Sequence, residues 1–232
     1  MSKFCVHIKY SFFSGEEEEI DSEIDGLLKK FINLRPSKLK SFEIRDQNVK
    51  FEDFKYIVPI LPFSLNSLTF SNINMLPKSV FMLAKQLERS KIESLDLSMN
   101  LIGDESIWML VGLISQSETL KSINISECGI TSQGIWPLVN AISIREFHAL
   151  FLSNNDLGSQ GAHFITEYLK LGPSISFLAL DNCDFSEIDM IQIIEASLNC
   201  KSLQKLSLFG NSTLQRIVPP YVCCTVVPMS IV

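Results

Sequence analysis

Three histidines, His7, His148 and His163, and six cysteines, Cys5, Cys128, Cys183, Cys200, Cys223 and Cys224, are the groups of this 232-residue chain best suited to acid–base, nucleophilic or metal chemistry. Their spacing builds none of it. No histidine stands in a motif with a serine or cysteine nucleophile. The chain contains no GxxxxGK[ST], no HExxH and no paired CxxC. The cysteines have neither zinc-ligand spacing nor the density of a small secreted scaffold, so reduced thiols are expected. No catalytic residue, metal ligand or cofactor is therefore assigned, and the chain reads as a non-enzyme.

The charges point the same way. Of a net charge of −6, seven negative charges come from Glu16, Glu17, Glu18, Glu19, Asp21, Glu23 and Asp25, and the remainder is close to neutral. No basic face is left to neutralise phosphates, which disfavours nucleic acid as a partner. Lys29, Lys30 and Arg35 follow the acidic run, and acid before base suits the macrodipole of a helix from about Glu17 to Asn33. Residues 1–38 are accordingly expected to form an N-terminal cap with an acidic helix. Hydrophobic residues make up 46% and charged ones 20%, which is a folded, globular balance. No uninterrupted apolar run approaches the length of about 18 residues that suggests a membrane span. Met1–Tyr10 show no long apolar stretch behind a basic segment, so no signal peptide is expected and cytoplasmic residence is the default.

What positions these residues is a repeat. Ile92, Leu95, Leu97, Asn100 and Ile102 match Leu120, Ile123, Ile125, Cys128 and Ile130 in the pattern LxxLxLxx(N/C)xL. Further copies start at Phe147, Ile175 and Leu203, with weaker ones at Leu39 and Leu65, so the starts are separated by 26, 27, 28, 27, 28 and 28 residues. The LxLxL alternation predicts a short strand with one buried face. Helical spacing follows it: Ile107, Leu110, Val111 and Ile114 in the third repeat, and Ile188, Ile191, Ile194 and Leu198 in the sixth, are expected to face the core. The short polar side chain at the ninth position is expected to bond backbone groups where the chain leaves the strand. Gly103 and Gly158 suit the tight change of direction into the helix. One such unit cannot bury both its strand and its helix, so neighbours must stack.

This pattern resembles the ribonuclease-inhibitor-like class of leucine-rich repeats, which includes ribonuclease inhibitor, the repeat domains of NOD-like receptors, tropomodulin-type repeats and the Ran GTPase-activating protein. The near-28-residue unit and the alternation Asn100, Cys128, Asn155, Cys183, Asn211 carry the resemblance. Gln47 and Ile73 depart from it at the ninth position. The resemblance implies an α/β horseshoe solenoid, with a parallel sheet on the concave face and helices on the convex face. It covers roughly residues 39–214, within a repeat domain expected over residues 39–216 and followed by an irregular apolar tail at 217–232 in which Pro219, Pro220 and Pro228 forbid a regular helix.

Proteins of this class meet protein partners on the concave face and its rim, so a protein-binding scaffold is the leading functional expectation. Period two turns Glu43, Arg45, Asp46, Thr69, Asp96, Asn124, Phe151, Phe177, Ala179, Asp181, Lys205 and Phe209 outward. Phe151, Phe177 and Phe209, on adjacent strands, are expected to form one lateral aromatic patch, with Asp96, Asn124 and Asp181 as polar contacts. A second reading is regulation of a small GTPase, because Leu97–Gly103 and Leu152–Gly158 partly match the LSDNxxG segment of Ran GTPase-activating protein. Met99 and Asn154 replace its Asp.

Overall fold

The computed structural model describes residues 6–12 and 17–22 as strands and residues 39–211 throughout. One nine-stranded sheet runs through the protein in the order β2-β1-β3-β4-β5-β6-β7-β8-β9. Seven parallel strands carry the repeat: β3 (Leu39–Arg45), β4 (Ser67–Ser71), β5 (Ser94–Asp96), β6 (Ser122–Asn124), β7 (Ala149–Phe151), β8 (Phe177–Ala179) and β9 (Lys205–Ser207). Six helices connect them: α1 (Phe51–Ile60), α2 (Pro77–Leu87), α3 (Gly103–Gln116), α4 (Ser132–Ser143), α5 (Gly158–Lys170) and α6 (Glu187–Ser197). Strand stacks on strand and helix on helix, the leucine-rich-repeat solenoid that the spacing predicts.

The register is the repeat made physical. Leu68, Leu95, Ile123, Leu150, Leu178 and Leu206 lie side by side across β4 to β9, each buried. Because the repeat starts set this row, a one-residue slip would turn every leucine outward. The core runs unbroken beneath it, and at the N-terminal end it is filled by Phe70, whose ring meets those of Phe42 at 5.9 Å and Phe54 at 5.5 Å.

The chain leaves each strand through a left-handed residue at the eighth repeat position: Asp46, Asn72, Met99, Glu127, Asn154, Asn182 and Gly210 all have positive φ. Asn, Asp and Gly tolerate that region; Met99 and Glu127 hold it against a steric cost of roughly 1–2 kcal/mol each. Gly210 is confined further, because a Cβ there would come within 1.8 Å of Asn182 Oδ1. Gly103 (φ 65°) and Gly158 (φ 56°) make the later turn into α3 and α5, as expected.

Two expectations are corrected. Residues Glu17–Ser22 are β2, not the start of a helix: they pair antiparallel with β1 (Val6–Phe12) from Val6↔Ser22 to Ser11↔Glu17, and β1 in turn pairs antiparallel with β3. Ladder bonding to a distant strand overrides a local charge pattern, and the hairpin covers the otherwise open edge of the parallel sheet. The remainder of that expected helix, residues 23–33, lies outside the described residues, as does the tail at 217–232. The buried apolar residues of α6 are Met190, Ile193 and Ala196, with Ile194 partly buried against the core as expected, whereas Ile188, Ile191 and the C-cap Leu198 are exposed. The phase is set at the N-terminus, where Ser186 and Asp189 form a reciprocal capping box. With isoleucine on every side of α6, the apolar spacing alone does not choose a face.

Candidate protein-binding face

The concave surface is built from the third, fifth and seventh positions of each repeat. Along the third position run Ser41, Ser67, Ser94 and Ser122, then Ala149, Phe177 and Lys205 in direct register. The seventh position adds Ser71, Ser98, Ser126 and Ser153. The middle repeats therefore present a low floor of small hydroxyl side chains, and Thr69, Ser71 and Ser98 on it are themselves buried, with Ser71 and Ser98 hydrogen-bonded at 2.9 Å.

From that floor two rings rise together. Phe151 is in register with Ala179 and Phe177 with Ala149, so the phenylalanines are diagonal neighbours over two small residues. Their ring centroids are 4.8 Å apart and the planes tilted by 36°, inside the range in which aromatic pairs attract beyond their area. Both are half-buried, and Lys205 Nζ sits 5.0 Å from the Phe177 centroid on the next strand. Phe209 does not join them. It lies two residues beyond β9, in the turn, and is 74% exposed; the alternation that points it outward continues in the sequence after the strand has ended. Ala179 is on this face but only 6% exposed, and Asp46 belongs to a left-handed turn rather than to the strand.

The polar candidates have work within the fold. Asp96 Oδ1 accepts from the Ser98 N–H at 3.0 Å and the Ser98 hydroxyl at 2.7 Å, while its other oxygen meets Arg45 at 3.4 Å. Arg45 also pairs with Glu43. Asn124 Oδ1 accepts from the Ser126 N–H at 3.1 Å. Asp181, just past β8, accepts at Oδ1 from the Phe209 N–H at 2.7 Å and from the Ser207 hydroxyl. The other Asp181 oxygen accepts from the Ser153 hydroxyl at 3.4 Å, and each of the three fixes a strand exit while remaining partly exposed.

The ninth position is the internal counterpart. Asn155, 3% exposed, accepts at Oδ1 from the Cys128 and Ile130 N–H groups, each at 3.0 Å, and donates from Nδ2 to the Ile125 and Leu152 carbonyls. Asn100 does the same for Ile73, Met75, Phe70 and Leu97, and Asn211 for Cys183, Phe185, Leu180 and Leu208. The alternating Cys128 and Cys183 donate Sγ–H to strand carbonyls, and burial pushes both thiols up to about 12. Such thiols stay protonated and inert at neutral pH.

His148, beside Glu146 at 3.6 Å, and His163, on the exposed side of α5, lie in different layers. Glu146 itself is held below the usual carboxylate range, chiefly by Lys121. Among the described residues no group of three or more His, Cys, Asp or Glu is placed to hold a metal ion, and no helix is long and apolar enough to cross a membrane.

Comparison with known proteins fits this geometry. A family model described as Leucine Rich repeat matches residues 90–110 and 116–138. Over 127 residues the chain is 30% identical to human NACHT, LRR and PYD domains-containing protein 13, covering 54% of this chain and 12% of that protein. It is 29% identical over 126 residues to pig ribonuclease inhibitor, covering 53% of this chain and 28% of the relative. The chain thus spans about an eighth of the first relative's length and little more than a quarter of the second's. Among solved structures, the tropomodulin C-terminal domain of Caenorhabditis elegans superposes with a TM-score of 0.50 at 15% identity, covering 77% of this chain and 93% of that one, a likeness of fold. Repeats, sheet and matches together define a leucine-rich-repeat solenoid that is similar to proteins of the ribonuclease-inhibitor-like class. They select no single member of it.

Proposed function

We propose that the chain is a non-enzymatic scaffold that binds a protein partner on its concave face, centred on Phe151 and Phe177. The observation that carries this reading is the stacked, half-exposed ring pair beside a floor of small serines. Large apolar side chains left at the surface in contact with one another mark contact surfaces, and aromatic residues are enriched at the energetic centres of interfaces. The low floor lets a partner approach the sheet closely, and Asp96, Asn124 and Asp181 line it with acceptors. A relative whose name is ribonuclease inhibitor supports binding of another protein as the work of this class. Regulation of a small GTPase has less support: Asn100 and Asn155, the residues that would carry it, are buried and bonded to backbone.

The test is to change Phe151 and Phe177 singly to Ser, confirm folding by circular dichroism, and measure affinity for the partner recovered with the parent chain. Truncating a central ring is expected to cost about 2 kcal/mol of binding or more. Unchanged affinity in both variants would remove the concave face from the account.

A further inference from the structure

The outward side of the helix layer carries a second periodic feature. Phe81 on α2, Trp108 on α3, Trp136 on α4, His163 on α5 and Ile191 on α6 follow one another at 27, 28, 27 and 28 residues, the spacing of the repeat itself. They therefore occupy one position in five successive units, and stacking of the helices draws them into a ridge across the convex face. All are exposed, by 50%, 60% and 50% for Phe81, Trp108 and Trp136 and by 48% for Ile191. Both tryptophans of the chain are in this row.

One helical turn further on, Trp108 and Trp136 are followed by Gly112 and Asn140, so on that side the middle of the ridge is bordered by small, uncharged positions, whereas the exposed Glu105 precedes Trp108 by one turn. Toward its C-terminal end the character changes. A groove of about 220 Å³ between α4 and α5 is walled by Trp136, Val139, Phe164 and Leu171. The adjoining groove between α5 and α6, about 420 Å³, is lined by Glu167, Lys170 and Glu195, of which Glu167 and Lys170 are bonded to each other at 2.8 Å. The line of rings thus ends beside a carboxylate, Glu195, that suits a cation on the ligand.

The helices' backbone groups are spent within the helices, so an added strand has nothing to pair with here; a ligand must bind through side chains alone. Packed helices lie about 8–10 Å apart. A polyproline II segment advances about 9 Å over three residues, spends no backbone bonds internally, and presents one edge at that interval. We propose that the convex ridge holds a proline-rich, extended segment of a protein partner, with every third residue laid against Phe81, Trp108, Trp136 and His163 and a Lys or Arg at Glu195. This rests on the protein-binding reading above but places a second contact on the opposite face. Proline rings against tryptophan bury apolar area with little rotamer entropy to lose, and Glu195 sets the direction of the segment.

The experiment uses the full chain and a synthetic peptide of about twelve residues with proline at every third position and arginine at one end. Because both tryptophans are in the ridge, intrinsic fluorescence reads the site directly. The expected result is a saturable spectral change, with affinity, followed by polarisation of labelled peptide, falling at least tenfold in Trp136→Ala and in Trp108→Ala. Glu195→Lys should weaken the arginine peptide and leave its alanine analogue unchanged, and Phe151→Ser and Phe177→Ser should leave the titration untouched. That last arm separates the two faces: loss of peptide binding in the concave variants, or tighter binding of an amphipathic helical peptide, overturns the ridge proposal. An equal response to a peptide with glycine in place of proline, or unaltered affinity in both tryptophan variants, overturns it as well.

Discussion

Replacing Asn155 by Ala removes a side chain whose amide satisfies the backbone of two repeats at once. Oδ1 accepts from the Cys128 and Ile130 N–H groups, and Nδ2 donates to Ile125 and Leu152 carbonyls, all in a site only 3% exposed. Alanine leaves the two N–H groups without that acceptor in a site closed to bulk solvent. At roughly 1–3 kcal/mol for each buried unsatisfied group, the two donors alone cost about 2–6 kcal/mol, a large share of the roughly 5–15 kcal/mol that holds a domain together. Asn124→Ala is the internal control, because Asn124 accepts one bond, from the Ser126 N–H, at a half-exposed position. Its loss should cost about 0.5–1.5 kcal/mol. Urea denaturation followed by far-ultraviolet circular dichroism measures both, and in a chain of this size each kcal/mol also lowers Tm by about 2–4 °C. If Asn155→Ala loses no more stability than Asn124→Ala, the ninth-position amide is not what closes the strand exits, and the structural role given to it is wrong.

Three further outcomes follow from the same geometry. Met99→Asn and Glu127→Asn should each stabilise the chain by about 0.5–1 kcal/mol in the same titration, since both positions have φ near 60° and Asn tolerates that region; destabilisation would mean that the native side chains make compensating contacts. Leu180→Ala should cost roughly 2–5 kcal/mol through the cavity it opens in the continuous core, whereas Phe177→Ser, at the surface, should cost much less; equal losses would overturn the assignment of strand faces. Burial holds the protons on Cys128 and Cys183 up to about pH 12 in the folded chain, against an ordinary thiol value of 9.0. Between those values the unfolded chain binds fewer protons, so stability is intact below about pH 9 and falls above it by about 1.4 kcal/mol per pH unit for each thiol. A Cys128→Ala, Cys183→Ala chain should lack that part of the slope, and an unchanged slope would contradict the burial of the thiols.

The strands were legible because one face of each is an uninterrupted row of Leu and Ile at fixed offsets, and a period of two admits only one register. The ninth-position Asn was legible as a backbone partner for the same reason: a short amide recurring at a strand exit has few other uses. Helix α6 was not, since Ile188, Ile191, Ile193 and Ile194 offer an apolar stripe on more than one side and the capping box, not hydrophobicity, sets the phase. The acidic run at Glu17 misled because strand pairing with Val6–Phe12 is a long-range gain that local charge does not register. The aromatic pair was half legible: alternation sent Phe151 and Phe177 outward, but their diagonal stacking over Ala149 and Ala179 needs the strand register, and Phe209 was overcounted because alternation does not mark where a strand stops. The ridge of Phe81, Trp108, Trp136, His163 and Ile191 is legible from spacing alone, because the repeat runs through the helices as well as the strands.

The central claim is that the concave ring pair is where a partner is held. Its most direct measurement is the affinity of the partner recovered with the parent chain for the parent, for Phe151→Ser and for Phe177→Ser, each confirmed as folded. The expected result is a loss of about 2 kcal/mol, roughly thirtyfold, in each variant. Parent-like affinity in both would contradict the claim and return the concave face to being only the inner wall of the solenoid.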